Sequence, residues 1–112
     1  MCHTSDMTTD LTEILAKAKR IMAMYQEEHP EVKVDRDYYP FKVTEEWGEC
    51  LQAYLMLTDR GRQKGLSKDE IRAELEKELG DVFGFLLLFA DREGIDLSGA
   101  IHKKWLSRLP AE

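Results

Sequence analysis

The run from Val82 to Ala90 constrains this chain more than any other stretch. On a helix it is apolar around the whole circumference, with Phe83, Phe85, Leu86, Leu87, Leu88 and Phe89 pointing in every direction. It has about half the roughly 20 residues a bilayer crossing needs, so it belongs inside a protein and must be covered on both sides. At 112 residues the chain is near the size at which one core is adequate but not generous. The simplest cover is a second copy, and the expectation is a homodimer or a pair of dimers, a homotetramer, built around this helix.

The remaining periodicity is helical, and no stretch alternates long enough to be a strand. A first helix starts after a cap at Asp10 and carries Leu11, Ile14, Leu15, Ala18, Ile21, Met22 and Tyr25 on one stripe before Pro30 stops it. Glu31 to Pro40 reads as a connection, with Tyr38 and Tyr39 just before the proline. A second helix carries Val43, Trp47, Cys50, Leu51, Tyr54 and Leu55 as far as Gly61, and Gly61 to Gly65 is a basic loop. Ser67 with Glu70 forms a capping box that opens the third helix, which runs to Glu93 before Gly94. Asp96 caps a fourth through Leu97, Ala100, Ile101, Trp105 and Leu106, and Pro110 closes the chain. The expected fold class is all-α, a four-helix bundle over residues 10–112 preceded by a flexible terminus, residues 1–9.

Charge and cysteine usage exclude several classes. A net charge of −6 lacks the basic stripe that a nucleic-acid polymer demands. Cys2 and Cys50 form neither a disulfide framework nor a zinc spacing, and His3, His29 and His102 show no ligand spacing. Residues 1–9 lack the basic start and apolar stretch of a secretory signal, so the expectation is a cytoplasmic protein with no membrane partner.

Chemistry is carried by two acidic pairs, Glu46 with Glu49 and Glu78 with Asp81, each three residues apart and so on one helix face. Packed together, two such helices bring four carboxylates to one spot, unfavourable unless a hard divalent cation sits between them. Magnesium suits such a set, with Mn²⁺ as a substitute, because it binds through a few carboxylates together with substrate phosphates. Glu45 and Glu74 adjoin the pairs as a further ligand or general base. Solvated acids are the commoner use of such a spacing. The glycine before the second acid of each pair, Gly48 and Gly80, raises the odds, because helical glycine costs roughly 1 kcal/mol and is tolerated for close approach of a helix or a ligand.

With Glu45-Glu46-Trp47-Gly48-Glu49, Glu78-Leu79-Gly80-Asp81-Val82, Gly94-Ile95-Asp96-Leu97 with Ala100, and Lys104 followed by Arg108, the chain resembles the MazG-like all-α nucleoside triphosphate pyrophosphohydrolases over Lys42 to Arg108. The resemblance implies a four-helix fold forming dimers or tetramers that binds Mg²⁺. It implies hydrolysis of an NTP or dNTP between the α and β phosphates to a monophosphate and pyrophosphate, as in nucleotide-pool house-cleaning. Carried over, Glu46, Glu49, Glu78 and Asp81 look like metal ligands, and Lys104 and Arg108 like the basic pair that meets the phosphates. The chain departs from the pattern at Cys50, where leucine is common, and in the long connection between the pairs, where Gly61 to Leu66 has no counterpart.

Lys42, one turn before Glu46, is a candidate phosphate contact or an ordinary ion-pair partner of Glu46. Trp47 and Trp105 are candidates to stack on a nucleobase, against core packing as the commoner fate of a helical tryptophan; Tyr38 and Tyr39, in the connection leading into the acidic helix, are better placed for a base pocket, with simple packing an equal alternative. Two alternatives stand beside the main expectation: a phosphoribosyl-ATP pyrophosphohydrolase, and a non-catalytic acidic helical interaction module.

Overall fold

A computed structural model describes residues 10–111. The terminus expected to be flexible, with Cys2 and His3, lies outside the described residues. Four α-helices follow in order: α1 (Leu11–Glu28), α2 (Tyr38–Leu57), α3 (Lys68–Arg92) and α4 (Leu97–Lys104), then a 3₁₀ turn at Leu106–Arg108. The described residues contain no strand, so the class is all-α as expected. None of their helices is long and apolar enough to cross a membrane.

The residues cluster into two compact units, one of them Val34–Leu86 and the other formed by the stretches before and after it; α3 contributes to both. Val34–Leu86 is an antiparallel hairpin of α2 and the first part of α3. α2 begins at Tyr38, two residues before Pro40, earlier than the proline suggested. Proline is tolerated there because the first-turn N–H groups have no partner inside the helix. α2 also stops before the glycine expected to end it. Asp59 takes the left-handed conformation (φ 61°), Arg60 N–H donates to Leu55 O at 2.8 Å and Asp59 N–H to Met56 O at 3.2 Å, a Schellman ending with aspartate in the usual glycine position.

The turn is clasped from the next helix. Lys68 Nζ donates to Leu57 O at 2.9 Å and pairs with Asp59, and Gln63 Nε2 donates to Met56 O at 2.7 Å, so carbonyls orphaned at the α2 terminus are satisfied. α3 then starts with the expected capping box: Ser67 N–H donates to Glu70 Oε1 at 2.8 Å and Glu70 N–H to Ser67 Oγ at 3.1 Å. Tyr39, Cys50, Ala53 and a fully enclosed Ile71 make the core between the helices.

In the other unit Asp10 caps α1 by accepting from Glu13 N–H at 2.9 Å, Lys19 of α1 pairs with Asp91 of α3 at 3.3 Å, and Gln26 Nε2 donates to Val32 O at 2.8 Å. Gly94 (φ 72°) ends α3 in a second Schellman motif, with Ile95 N–H donating to Ala90 O at 2.8 Å. α4 is shorter than its periodicity suggested. Ser107 Oγ donates to Lys103 O, and Arg108 N–H and Leu109 N–H reach back only three residues, which tightens the last turn before Pro110. Lys104 and Arg108 therefore do not share one continuous α-helix.

The run that opens the sequence analysis is covered in part. Leu87, Leu88 and Ala90 are buried, whereas Phe83 and Leu86 remain 43% and 37% exposed. Ser67→Ala should lower unfolding free energy by about 1 kcal/mol, read from the urea midpoint, with α3 losing order at its N-terminal turn first.

Candidate metal centre

The α2–α3 seam holds the acids. Glu46 comes one turn after Lys42 and is buried, at 8% exposure, beside Cys50 in the helix–helix contact. Oxygens of Glu46, Glu78 and Asp81 lie within 4.8 Å of one another, and so do those of Glu45, Glu46 and Glu49, with Glu46 common to both triplets. In an octahedron with bonds of about 2.1 Å, neighbouring ligand oxygens sit roughly 2.9 Å apart and opposite ones about 4.2 Å. The 4.8 Å limit is wider than either separation, so the three oxygens would draw together on a shared ion. Glu78 Oε2 is enclosed and accepts no hydrogen bond, an unsatisfied acceptor of the sort that costs roughly 1–3 kcal/mol when nothing occupies its lone pairs. The donor set therefore fits a hard divalent cation.

Electrostatics point the same way. Burial pushes the Glu46 carboxyl above its ordinary 4.5, and the Glu49 charge and a hydrogen bond to Asp81 push it further, against Lys42. Burial also raises Glu78, joined by the charges of Glu49, Asp81 and Glu74. Two carboxylates about 4 Å apart repel by about 4 kcal/mol at an effective dielectric of 20, so the set resists full ionisation without a cation.

Lys42 is a cation placed against the acids from the first part of α2. Its Nζ lies 2.6 Å from Glu45 and 3.6 Å from Glu46, and 5.4 Å from the centroid of the Phe85 ring. Burial works against its charge, yet the bond to Glu45 and the charges of Glu45 and Glu46 outweigh it and hold the ammonium above its ordinary value.

The other candidates are placed as follows. Tyr39 is buried and Tyr38 half-buried, their rings 6.3 and 6.5 Å from Phe85, so both pack at the start of α2. Trp47 is 48% exposed and, one residue after Glu46, turns about 100° away from it. Trp105 is 65% exposed at the end of α4, Lys104 occupies the last residue of that helix, and Arg108 the 3₁₀ turn; both cations are exposed. Cys50 is 2% exposed, and burial followed by the Glu78 charge raises its thiol, the opposite of an activated nucleophile.

The glycines, expected to admit either the other helix or a ligand, lose the first of those alternatives within the described chain. A Cβ built on Gly48 or Gly80 meets nothing within 4 Å, so no second helix of the described chain approaches there. Residues that sequence inspection missed are Phe85 beneath Lys42, and Gln52 and Met56, which line a cavity sharing Glu49 and Glu78. Their signal was present: Gln52 and Met56 stand three and seven residues past Glu49, on the acidic face.

No family model matches this chain, and no curated protein or solved structure matches it.

Raised carboxyl values have a definite sign. Without divalent cation the folded protein holds protons that the unfolded chain has released, so stability falls as pH climbs from the ordinary carboxylate value through the raised ones. In chelator, Glu78→Gln should melt above wild type near pH 8 by a few degrees, and the gap should close toward pH 4; a pH-independent gap would show that Glu78 carries no such strain.

Proposed function

We propose that this chain is a Mg²⁺-dependent nucleoside triphosphate pyrophosphohydrolase of the MazG-like kind, releasing pyrophosphate and a nucleoside monophosphate. The observation that carries the proposal is the inter-helix triplet of Glu46, Glu78 and Asp81 with an enclosed acceptor oxygen lacking a partner. Its support beyond that is the motif resemblance; an acidic helical seam alone serves many proteins.

Bound magnesium would neutralise phosphate oxygens and acidify a water. The chain supplies everything else. Glu46, Glu78 and Asp81 would hold the cation from two helices, and Glu49 would complete the set from the adjoining triplet. Glu45 is exposed and tied only to Lys42, so it is placed to take a proton from an attacking water once Lys42 turns to phosphate. Lys42, released from Glu45 and Glu46, would meet an oxygen of the polyphosphate. Lys104 and Arg108 enter through the resemblance, as exposed cations free to stabilise the charge that spreads as the P–O bond breaks.

Self-association belongs to the same proposal. Trp47, Leu51, Tyr54 and Leu55 form an exposed stripe on α2, and Leu79, Phe83 and Leu86 a second on α3, each beginning one residue after a seam acid. A second copy would cover these stripes and approach closely over Gly48 and Gly80, where the single chain leaves open space. Gly80→Ala should then weaken the dimer in sedimentation analysis, although in a lone helix the change stabilises by about 1 kcal/mol.

A pyrophosphate-release assay across triphosphates, with Mg²⁺ and with chelator, tests the chemistry. Wild type should release pyrophosphate only with the cation, and Glu49→Gln and Asp81→Asn should each lose about 100-fold or more while keeping full helicity. Release that survives both amide changes, or no release from any triphosphate, would overturn the assignment.

A further inference from the structure

Lys42 differs from other paired lysines of the chain in where its charge is kept. The lysines of the Lys17–Glu13, Lys19–Asp91 and Lys77–Glu74 pairs are 57–72% exposed, as in surface ion pairs that contribute little. The Lys42 side chain is 27% exposed, and its Nζ reaches two carboxylates at once, Glu45 at 2.6 Å and Glu46 at 3.6 Å. Nζ also lies over the Phe85 ring, whose negative face attracts it, and that ring is itself packed against Tyr38 and Tyr39.

Glu46 belongs to both acidic triplets, so the ammonium contacts the one acid that neither triplet can lose. Through Glu45 it contacts a second member of the triplet on α2. A cation bonded at about 2.1 Å to the Glu46 oxygen that faces Lys42 would stand no more than about 5.7 Å from Nζ. Positive charges that close, in a seam partly shut off from water, repel. In the metal-free chain Lys42 therefore does part of a divalent cation's work, offsetting carboxylate charge. It carries one charge instead of two, but it is tethered to the same helix and its local concentration is high.

Release of that ammonium needs a destination. A lysine that leaves the acids for water loses two anionic partners, whereas one that leaves for a phosphate oxygen regains one, and its three donors on a flexible stem suit that contact. We infer that Lys42 is a tethered counter-ion that makes cation uptake conditional on phosphate, opposing a divalent cation bound alone and favouring one joined by a polyphosphate. The inference rests on the cation site proposed above and deepens it. Coupling of this kind is reciprocal: phosphate raises the affinity for the cation by the factor by which the cation raises the affinity for phosphate.

Lys42→Met keeps an apolar stem beside Phe85 and removes the charge, while Lys42→Arg keeps the charge. Titration calorimetry, with helicity checked by circular dichroism, gives the Kd of Mg²⁺ alone and, at saturating Mg²⁺, the Kd of inorganic tripolyphosphate. Lys42→Met should bind Mg²⁺ at least about fivefold tighter than wild type and tripolyphosphate at least about fivefold weaker. Lys42→Arg should bind Mg²⁺ no tighter than wild type. Opposite signs in one variant distinguish this role from a structural one, since a loosened seam weakens both ligands. Should Lys42→Met lose helicity, Lys42→Gln replaces it in the same measurements. In the wild type, the Lys42 Cε–Hε resonance should also move on saturation with Mg²⁺ alone, as the ammonium leaves the Phe85 ring; a static resonance overturns the displacement. Equal or weaker Mg²⁺ binding without the lysine charge, or unchanged tripolyphosphate binding, overturns the inference and leaves the cation site standing. No saturable Mg²⁺ binding in any of these proteins overturns the cation site and the inference together.

Discussion

Mutual repulsion among carboxylates that the α2–α3 seam forces together is the constraint on which the site depends. Helix packing buries Glu46, Cys50 and Ala53 along one face of α2, and the same packing carries oxygens of Glu78 and Asp81 to within 4.8 Å of a Glu46 oxygen. An apolar pair at those positions would pack with less conflict, since buried charges without full compensation destabilise. The seam thus trades stability for a concentration of negative charge, and a cation is the natural means of relieving it.

Other features of the hairpin hold that seam in register. Ile71 and Ala53 close the core on the loop side, while Tyr38, Tyr39 and Phe85 close it at the start of α2. The Lys68 clasp on Leu57 O and the Gln63 bond to Met56 O fix the end of α2 against the start of α3, so a slip of one residue would break both. Because side chains three and four apart share a face, this register aligns Lys42, the acids and the cavity in sequence along the hairpin.

Local signals were legible in the residues alone wherever the structure-forming interaction is local. Asp10 to Glu13, Ser67 to Glu70 and Gly94 each act within one turn, and all three boundaries stand as read. Both ends of α2 were not legible. Tyr38 and Tyr39 enter the helix because their rings pack on Phe85, over forty residues away, and Asp59 holds a left-handed turn with Lys68 as its partner. The early end of α4 depends on a serine turning back onto the helix carbonyl, one of several options open to that side chain.

By itself the sequence determined an all-helical chain and the acidic pairs on two helix faces, because helical periodicity follows from residue spacing and needs no partner. Only the tertiary structure decided which acid is buried, which oxygen lacks a donor, that Gly48 and Gly80 face open space, and that Gln52 and Met56 open a cavity beside the acids. Burial and proximity belong to pairs of surfaces, so they come into existence only when α3 is laid against α2.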